Sequence, residues 1–300
     1  MAQSLLTLIF TGLLLLAQTL GIQTGTERKT VDDLISAFHD LRASFLEEPG
    51  AKSDAGNAGT APESPGAQDG RAAGDQPAAA RVERRVLGAG ESWETAYYVI
   101  DSGRSGPVVM VVAGLHGDEP AALLAAERLI EQAGEITAGQ VVLLPEANAP
   151  AVRARKAHTG ADLNRAFPVE TVRGEAPAPQ EPAAAAIWQL VEEHRPDWLV
   201  DLHDESSDVT GQTVVYHEAQ PEAAWAAQAM AGHLNEALDE ADTAFRTAGG
   251  LPSGSLARAA AELFDARALV VETHRRHSLA ARSEWLADGV MYLLAYLGMR

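Results

Sequence analysis

The 300-residue chain contains no cysteine. Disulfides, thiol nucleophiles, thiolate metal sites and iron–sulfur clusters are all excluded, so any metal must be held by histidine and carboxylate. Cationic side chains are also scarce. Lys and Arg number 23 against 42 Asp and Glu, for a formal charge of −19 and a pI near 4.8. This balance argues against nucleic acid as a partner, because phosphate binding needs clustered Lys and Arg. Acidity of this kind favours solubility and says nothing about fold. Apolar residues, at 46%, are sufficient over this length for a full core.

An apolar run from Leu5 to Ala17, followed by the small residues Ala17, Thr19 and Gly21, has the length of a signal-peptide core. Residues 1–22 therefore read as a signal peptide or membrane anchor, and the protein as exported to the cell envelope or beyond. No Lys or Arg precedes the run, and its extension to Ile22 reaches the lower limit for a membrane span, so cleavage and anchoring both stay open. Residues 23–46 contain TVDDLISAFHDLRASFL, which places Val31, Leu34, Ile35, Phe38, Leu41 and Phe45 on one helical face. Residues 47–81 are rich in Gly, Ala, Pro, Ser and Asp and poor in core-forming residues, the composition of a disordered linker.

Residues 82–300 alternate between strand and helix patterns. ETAYYVI, PVVMVVAG, QVVLLP, DWLVDLH, QTVVYHE and ALVVET read as strands. Helices are expected at PAALLAAERLIEQAG, from Pro120 to Gly134, and at EPAAAAIWQLVEEH, PEAAWAAQAMAGHLNEAL and LAARSEWLADGVMYLLAYLG. This alternation predicts a single α/β domain on a mainly parallel mixed sheet flanked by helices.

Ligands in open α/β sheets gather at the carboxyl ends of strands. Three ionisable clusters fall at such ends: His116 and Glu119 after PVVMVVAG, His203 after DWLVD, and Glu272 after ALVV. Two imidazoles and one carboxylate with a fourth position open form the ligand set of a catalytic zinc site, and His116, Glu119 and His203 supply that set. Glu272 is then the candidate general base. Two plainer readings stand beside this one: Glu272 as a surface carboxylate paired with Arg275 or Arg276, and a rival site built on His274 and His277. The segment ARKAHTGADLNRAFP adds Arg155, Asp162, Asn164 and Arg165. Arginine forks bind carboxylates bidentately and a neighbouring Asn adds a hydrogen bond, so this loop suits an anionic substrate terminus.

GLHGDEP, ANAPA, DLNRAFP, DLH and a late VVET, in this order, resemble the zinc carboxypeptidase superfamily, specifically its succinylglutamate desuccinylase and aspartoacylase branch, from about Gly106 to the C-terminus. The resemblance implies a zinc-carboxypeptidase-like fold. It implies one Zn2+ ion on His116, Glu119 and His203, with Glu272 as base and proton shuttle. Asn164 and Arg165 would hold a substrate carboxylate, and Asp162 would orient a metal-bound histidine. Arg155, with Arg153 as the alternative, would stabilise the oxyanion. The chain departs from the family pattern at Val169, where a Gly is usual, and ANAPA matches Asn-Pro-x-Ala only loosely. The function so implied is an exported zinc-dependent amide hydrolase acting on peptides or cell-wall stem peptides. N-acyl amino acid deacylation is the alternative, and a non-catalytic envelope binding protein the second alternative.

Overall fold

The structure is a computed structural model that describes residues 79–170, 176–205, 212–236, 238 and 244–300. The leader over 1–22, the helix over 23–46 and the linker up to residue 78 lie outside the described residues. Eight strands make one mixed sheet: β1 (Arg81–Leu87), β2 (Thr95–Asp101), β3 (Val108–Ala113), β4 (Gln140–Leu144), β5 (Trp198–Glu205), β6 (Thr213–Tyr216), β7 (Arg246–Gly249) and β8 (Arg267–His274). Six α-helices accompany them among the described residues: α1 (Pro120–Glu131), α2 (Ala149–Ala154), α3 (Pro182–His194), α4 (Pro221–Glu236), α5 (Leu256–Phe264) and α6 (Leu279–Tyr296).

The strand order is β1-β2-β4-β3-β5-β8-β6-β7. The four central strands, β4, β3, β5 and β8, run parallel, while β1 and β2 on one flank and β6 on the other join antiparallel. The central strands read as nearly unbroken apolar runs because both their faces are covered, as parallel sheets require. Val109, Val111, Val200, Leu202, Leu269 and Val271 pack with α1, α4 and α6. Met110, Val112, Leu199, Ala268 and Val270 face α3 and α5 on the other side. Local chemistry starts the helices: Pro occupies the first turn of α1 and α3, and the Ser255 and Ser278 side chains accept backbone hydrogen bonds that cap α5 and α6.

The α/β architecture and the mainly parallel centre agree with the sequence expectation. The differences are local. RVERRVL, from Arg81, forms the edge strand β1. The helix expected through Gly134 ends at Glu131 and continues as a 3-10 turn over Ala133–Glu135. Four elements, β1, α2, β7 and α5, were not foreseen.

Beneath the carboxyl ends of β5 and β8 lies an ionic lock. Asp204 is fully buried, forms a salt bridge to Arg282 of α6 and accepts a 3.3 Å hydrogen bond from the Thr273 hydroxyl. Arg275 donates a 2.8 Å hydrogen bond to the Asp204 carbonyl and lies 3.5 Å from Asp118. A buried carboxylate that loses its only cation of this depth becomes an uncompensated charge. Arg282→Met is therefore expected to cost about 3–5 kcal/mol in denaturant unfolding of the full chain. The exposed Arg300–Glu135 pair, removed by Arg300→Ala, should cost at most about 1 kcal/mol. Equal losses for both would contradict this account of the lock.

Candidate metal centre

Strand β3 delivers His116 and Glu119 through one tight turn. Gly117 at its middle leaves no room for a side chain, since a Cβ there would lie 2.0 Å from the Ala151 carbonyl carbon of α2. His203 rides on β5, directly beside β3, and pairs in register with Glu272 of β8. Paired residues of parallel strands project to the same face, so β3, β5 and β8 bring all three clusters to one rim, as the sequence pattern anticipates.

The Glu119 carboxylate stands between the two imidazoles. Its Oε1 is 2.8 Å from His116 Nδ1 and its Oε2 is 2.9 Å from His203 Nδ1. Glu119 and His203 are buried and His116 is partly exposed. Among the described residues this is the one grouping of three such side chains able to hold a metal, with one ligand atom from each lying within 4.8 Å of the others. The far nitrogens of the rings meet carboxylates: His116 Nε2 lies 3.3 Å from Asp162 Oδ1, and His203 Nε2 lies 3.0 Å from Asp201 Oδ2. A carboxylate behind each imidazole fixes the ring so that Nδ1 faces the centre, and this is the usual outer support of a metal-bound histidine. Imidazole nitrogens and a carboxylate suit zinc, so the residues fit the ion implied by the resemblance.

Without an ion the three groups share protons. Burial opposes charge on His203, but the Asp201 and Glu119 carboxylates outweigh it and hold its imidazolium well above the ordinary histidine range. His116 shifts upward too, burial again being overcome by the hydrogen bond and charge of Glu119. Glu119 is held below the usual carboxylate range, because the two neighbouring imidazoles overcome the penalty of its burial.

The remaining sequence-predicted residues take different positions. Glu272 is half-buried on β8, level with His203. Asp162 backs His116 and caps the turn that carries Asn164. Asn164 is buried behind His203, while Arg165 is exposed and donates a 2.7 Å hydrogen bond to the Asn164 carbonyl. Arg155 is exposed, in the left-handed conformation that ends α2. Arg153 binds the Ser92 carbonyl. His274 accepts a hydrogen bond from the Arg276 amide and His277 packs edge-on to Trp285. Neither joins the ligand group. Two participants were missed: Asp201 and the backbone N–H of Leu256, which donates to Asn164 Oδ1 at 3.0 Å. An Asp two positions before His203 on an apolar strand was a readable signal for the first; nothing local marked the second.

The catalytic-domain model of the succinylglutamate desuccinylase/aspartoacylase family matches residues 105–283, more than half of the chain. No curated protein matches it. Among solved structures, the tripeptide-bound cell shape determinant Csd4 of Helicobacter pylori aligns with a TM-score of 0.57 at 17% identity, over 74% of this chain and 56% of that one. An aspartoacylase family protein of Mesorhizobium loti aligns with a TM-score of 0.55 at 19% identity, over 75% and 68%. The likeness is one of fold, and the chain spans about half the length of the Csd4 structures.

An ion entering the centre must displace the protons held between Glu119 and the two histidines. Because the carboxylates around it hold the His203 proton more tightly than in a free histidine, zinc uptake at pH 7 is expected to release protons. Calorimetric titration of the metal-free protein in two buffers of different ionisation enthalpy reads this release, and a binding heat independent of the buffer would refute it.

Proposed function

The chain belongs to the succinylglutamate desuccinylase/aspartoacylase family, and from that membership we propose an exported, zinc-dependent hydrolase that cleaves an amide bond next to a carboxylate. The observation that carries the reading is the convergence of His116, Glu119 and His203 on one point with Glu272 on the adjoining strand. Small peptides, including cell-wall stem peptides, are the leading substrate class, because an exported enzyme meets them more readily than cytosolic N-acyl amino acids. Csd4, described as a D,L-carboxypeptidase and seen bound to a tripeptide and to mDAP, supports that choice. Deacylation of an N-acyl amino acid is the second reading, favoured by the activities for which the family is named.

A bound zinc ion supplies an acidified water and a Lewis acid at the scissile carbonyl. The rest falls to side chains. Glu272 takes the proton of the attacking water and returns it to the leaving amine nitrogen. Arg155 stabilises the oxyanion in this reading, its neighbour Arg153 being bound to the Ser92 carbonyl. Arg165, exposed at the end of its turn, binds the substrate carboxylate with its guanidinium.

Glu272→Gln is expected to keep its metal and to lose about 10²–10⁴-fold in kcat. Arg165→Ala removes a charge-assisted hydrogen bond of about 1.5–3 kcal/mol, which raises KM about 10–100-fold. Both are read on a panel of short peptides with free or amidated C-termini and of N-succinyl and N-acetyl amino acids. Full turnover by Glu272→Gln, or amidated and free C-termini cleaved alike, would sink the mechanism.

A further inference from the structure

We infer that the cleft between the β1–β2 hairpin and α1 docks a basic, partly apolar peptide segment of another protein, one in which apolar side chains alternate with Lys or Arg. The inference stands apart from the hydrolase reading, because no residue that lines the cleft belongs to the metal centre.

The cleft follows from the way the sheet ends. β1 is the edge strand, and in its antiparallel register with β2 Arg84 lies opposite Tyr98 and Val86 opposite Ala96. Opposed residues two apart project to the same face, so these four side chains form a floor. Leu123, Glu127 and Ile130 are spaced four and three residues apart on α1, and that stripe of the helix lines the cleft beside them. Thr95, at the start of β2, and Glu146, just beyond β4, line it too and are tied together by a 2.8 Å hydrogen bond from the Thr95 hydroxyl to the Glu146 carbonyl. The cavity so formed is about 340 Å³, within the range of pockets that bury a ligand.

The floor is apolar and open. Val82 and Val86, on the same side of β1, are 45% and 43% exposed, more than any other large apolar residue among the described ones. Adjoining apolar side chains left in water mark a contact surface.

The rim supplies the charge. Glu94, Glu127 and Glu146 are exposed around the floor, against one cation, Arg84. Glu94 accepts a 2.6 Å hydrogen bond from the Gly90 N–H. The carboxylates of Glu127 and Glu146 have no hydrogen bond or ion pair among the described residues. Two carboxylates thus stand uncompensated beside apolar surface.

This combination selects the occupant. An apolar side chain fills the floor, and a Lys or Arg beside it lays its stem on the cleft wall and brings its charge to the carboxylates. A second copy of this chain does not fit that description: a symmetric contact would set the same three carboxylates against each other, between chains of formal charge −19. Anionic surfaces are repelled for the same reason.

The probe is a C-amidated pentapeptide of alternating leucine and lysine with a neutral fluorophore on its amino end, titrated with the full chain by fluorescence anisotropy at physiological salt. Its amidated end denies the active site a carboxylate. Wild type is expected to bind it, and Glu127→Gln/Glu146→Gln to bind about 3–25-fold more weakly, each exposed ion pair contributing up to about fivefold. Glu222→Gln/Glu284→Gln removes the same charge from exposed positions on α4 and α6 and should bind like wild type. Serine in place of leucine in the peptide should cost at least about tenfold. Ala96→Phe, which fills the cleft and keeps every charge, should abolish binding; if it does not fold, the two double variants, confined to exposed residues, decide. Equal weakening in both double variants would overturn the inference, because overall acidity alone would then hold the peptide. Absence of binding by wild type would overturn it too, as would binding seen only in the zinc-loaded protein, which would put the peptide at the metal centre. A chain that takes up no zinc yet binds the peptide would sink the hydrolase reading and leave this inference standing.

Discussion

The Glu119 carboxylate, buried between the inner nitrogens of two histidines, is the contact on which the arrangement depends. A carboxylate at that depth is tolerated only with positive partners, and an ion would have to replace the protons that now supply them. Everything nearby serves to keep three groups from three chain segments at that point. Strand β3 ends in a turn that Gly117 allows to tuck beneath α2. Strand β5 brings His203, and β8 sets Glu272 level with it. Beneath them, Asp204, Arg282, Thr273 and Arg275 tie the ends of β5 and β8 to α6 and to the turn containing Asp118.

Much of this was readable from the sequence because it lies in strong, local signals. PVVMVVAG, DWLVDLH and ALVVET are apolar strands with ionisable residues at their ends, and because parallel strands collect their sites at the carboxyl edge, the sequence alone groups His116, Glu119, His203 and Glu272. What stayed hidden is short or non-local. RVERRVL is charged, being an edge strand whose faces are largely exposed. The helix α2 is six residues long and α5 only nine, too short for a periodic pattern to stand out from the surrounding loops. The Leu256 amide that orients Asn164 lies 92 residues away along the chain, beyond the reach of any periodicity. The Asn-Arg pair illustrates the limit best: adjacent in sequence and alike in hydrogen-bonding capacity, one residue points into the protein and the other into solvent.

Charge distribution completes the picture. The chain is strongly acidic overall, yet Arg153, Arg155, Lys156 and Arg165 lie exposed on α2 and the loop that follows it, the same segment that supplies Asp162 to the centre. A local group of cations on an anionic protein favours an anionic ligand by attraction at close range while the remaining surface repels it. This agrees with a substrate that carries a carboxylate beside the bond to be cut.

The central claim is that His116, Glu119 and His203 hold a single catalytic ion. Diffraction from crystals of the zinc-loaded protein, recorded on both sides of the zinc absorption edge, tests it most directly. The account predicts one anomalous peak, bonded to Nδ1 of both histidines and to the Glu119 carboxylate at about 2.0–2.2 Å. A peak at His274 and His277, or none in crystals grown with zinc, would contradict it.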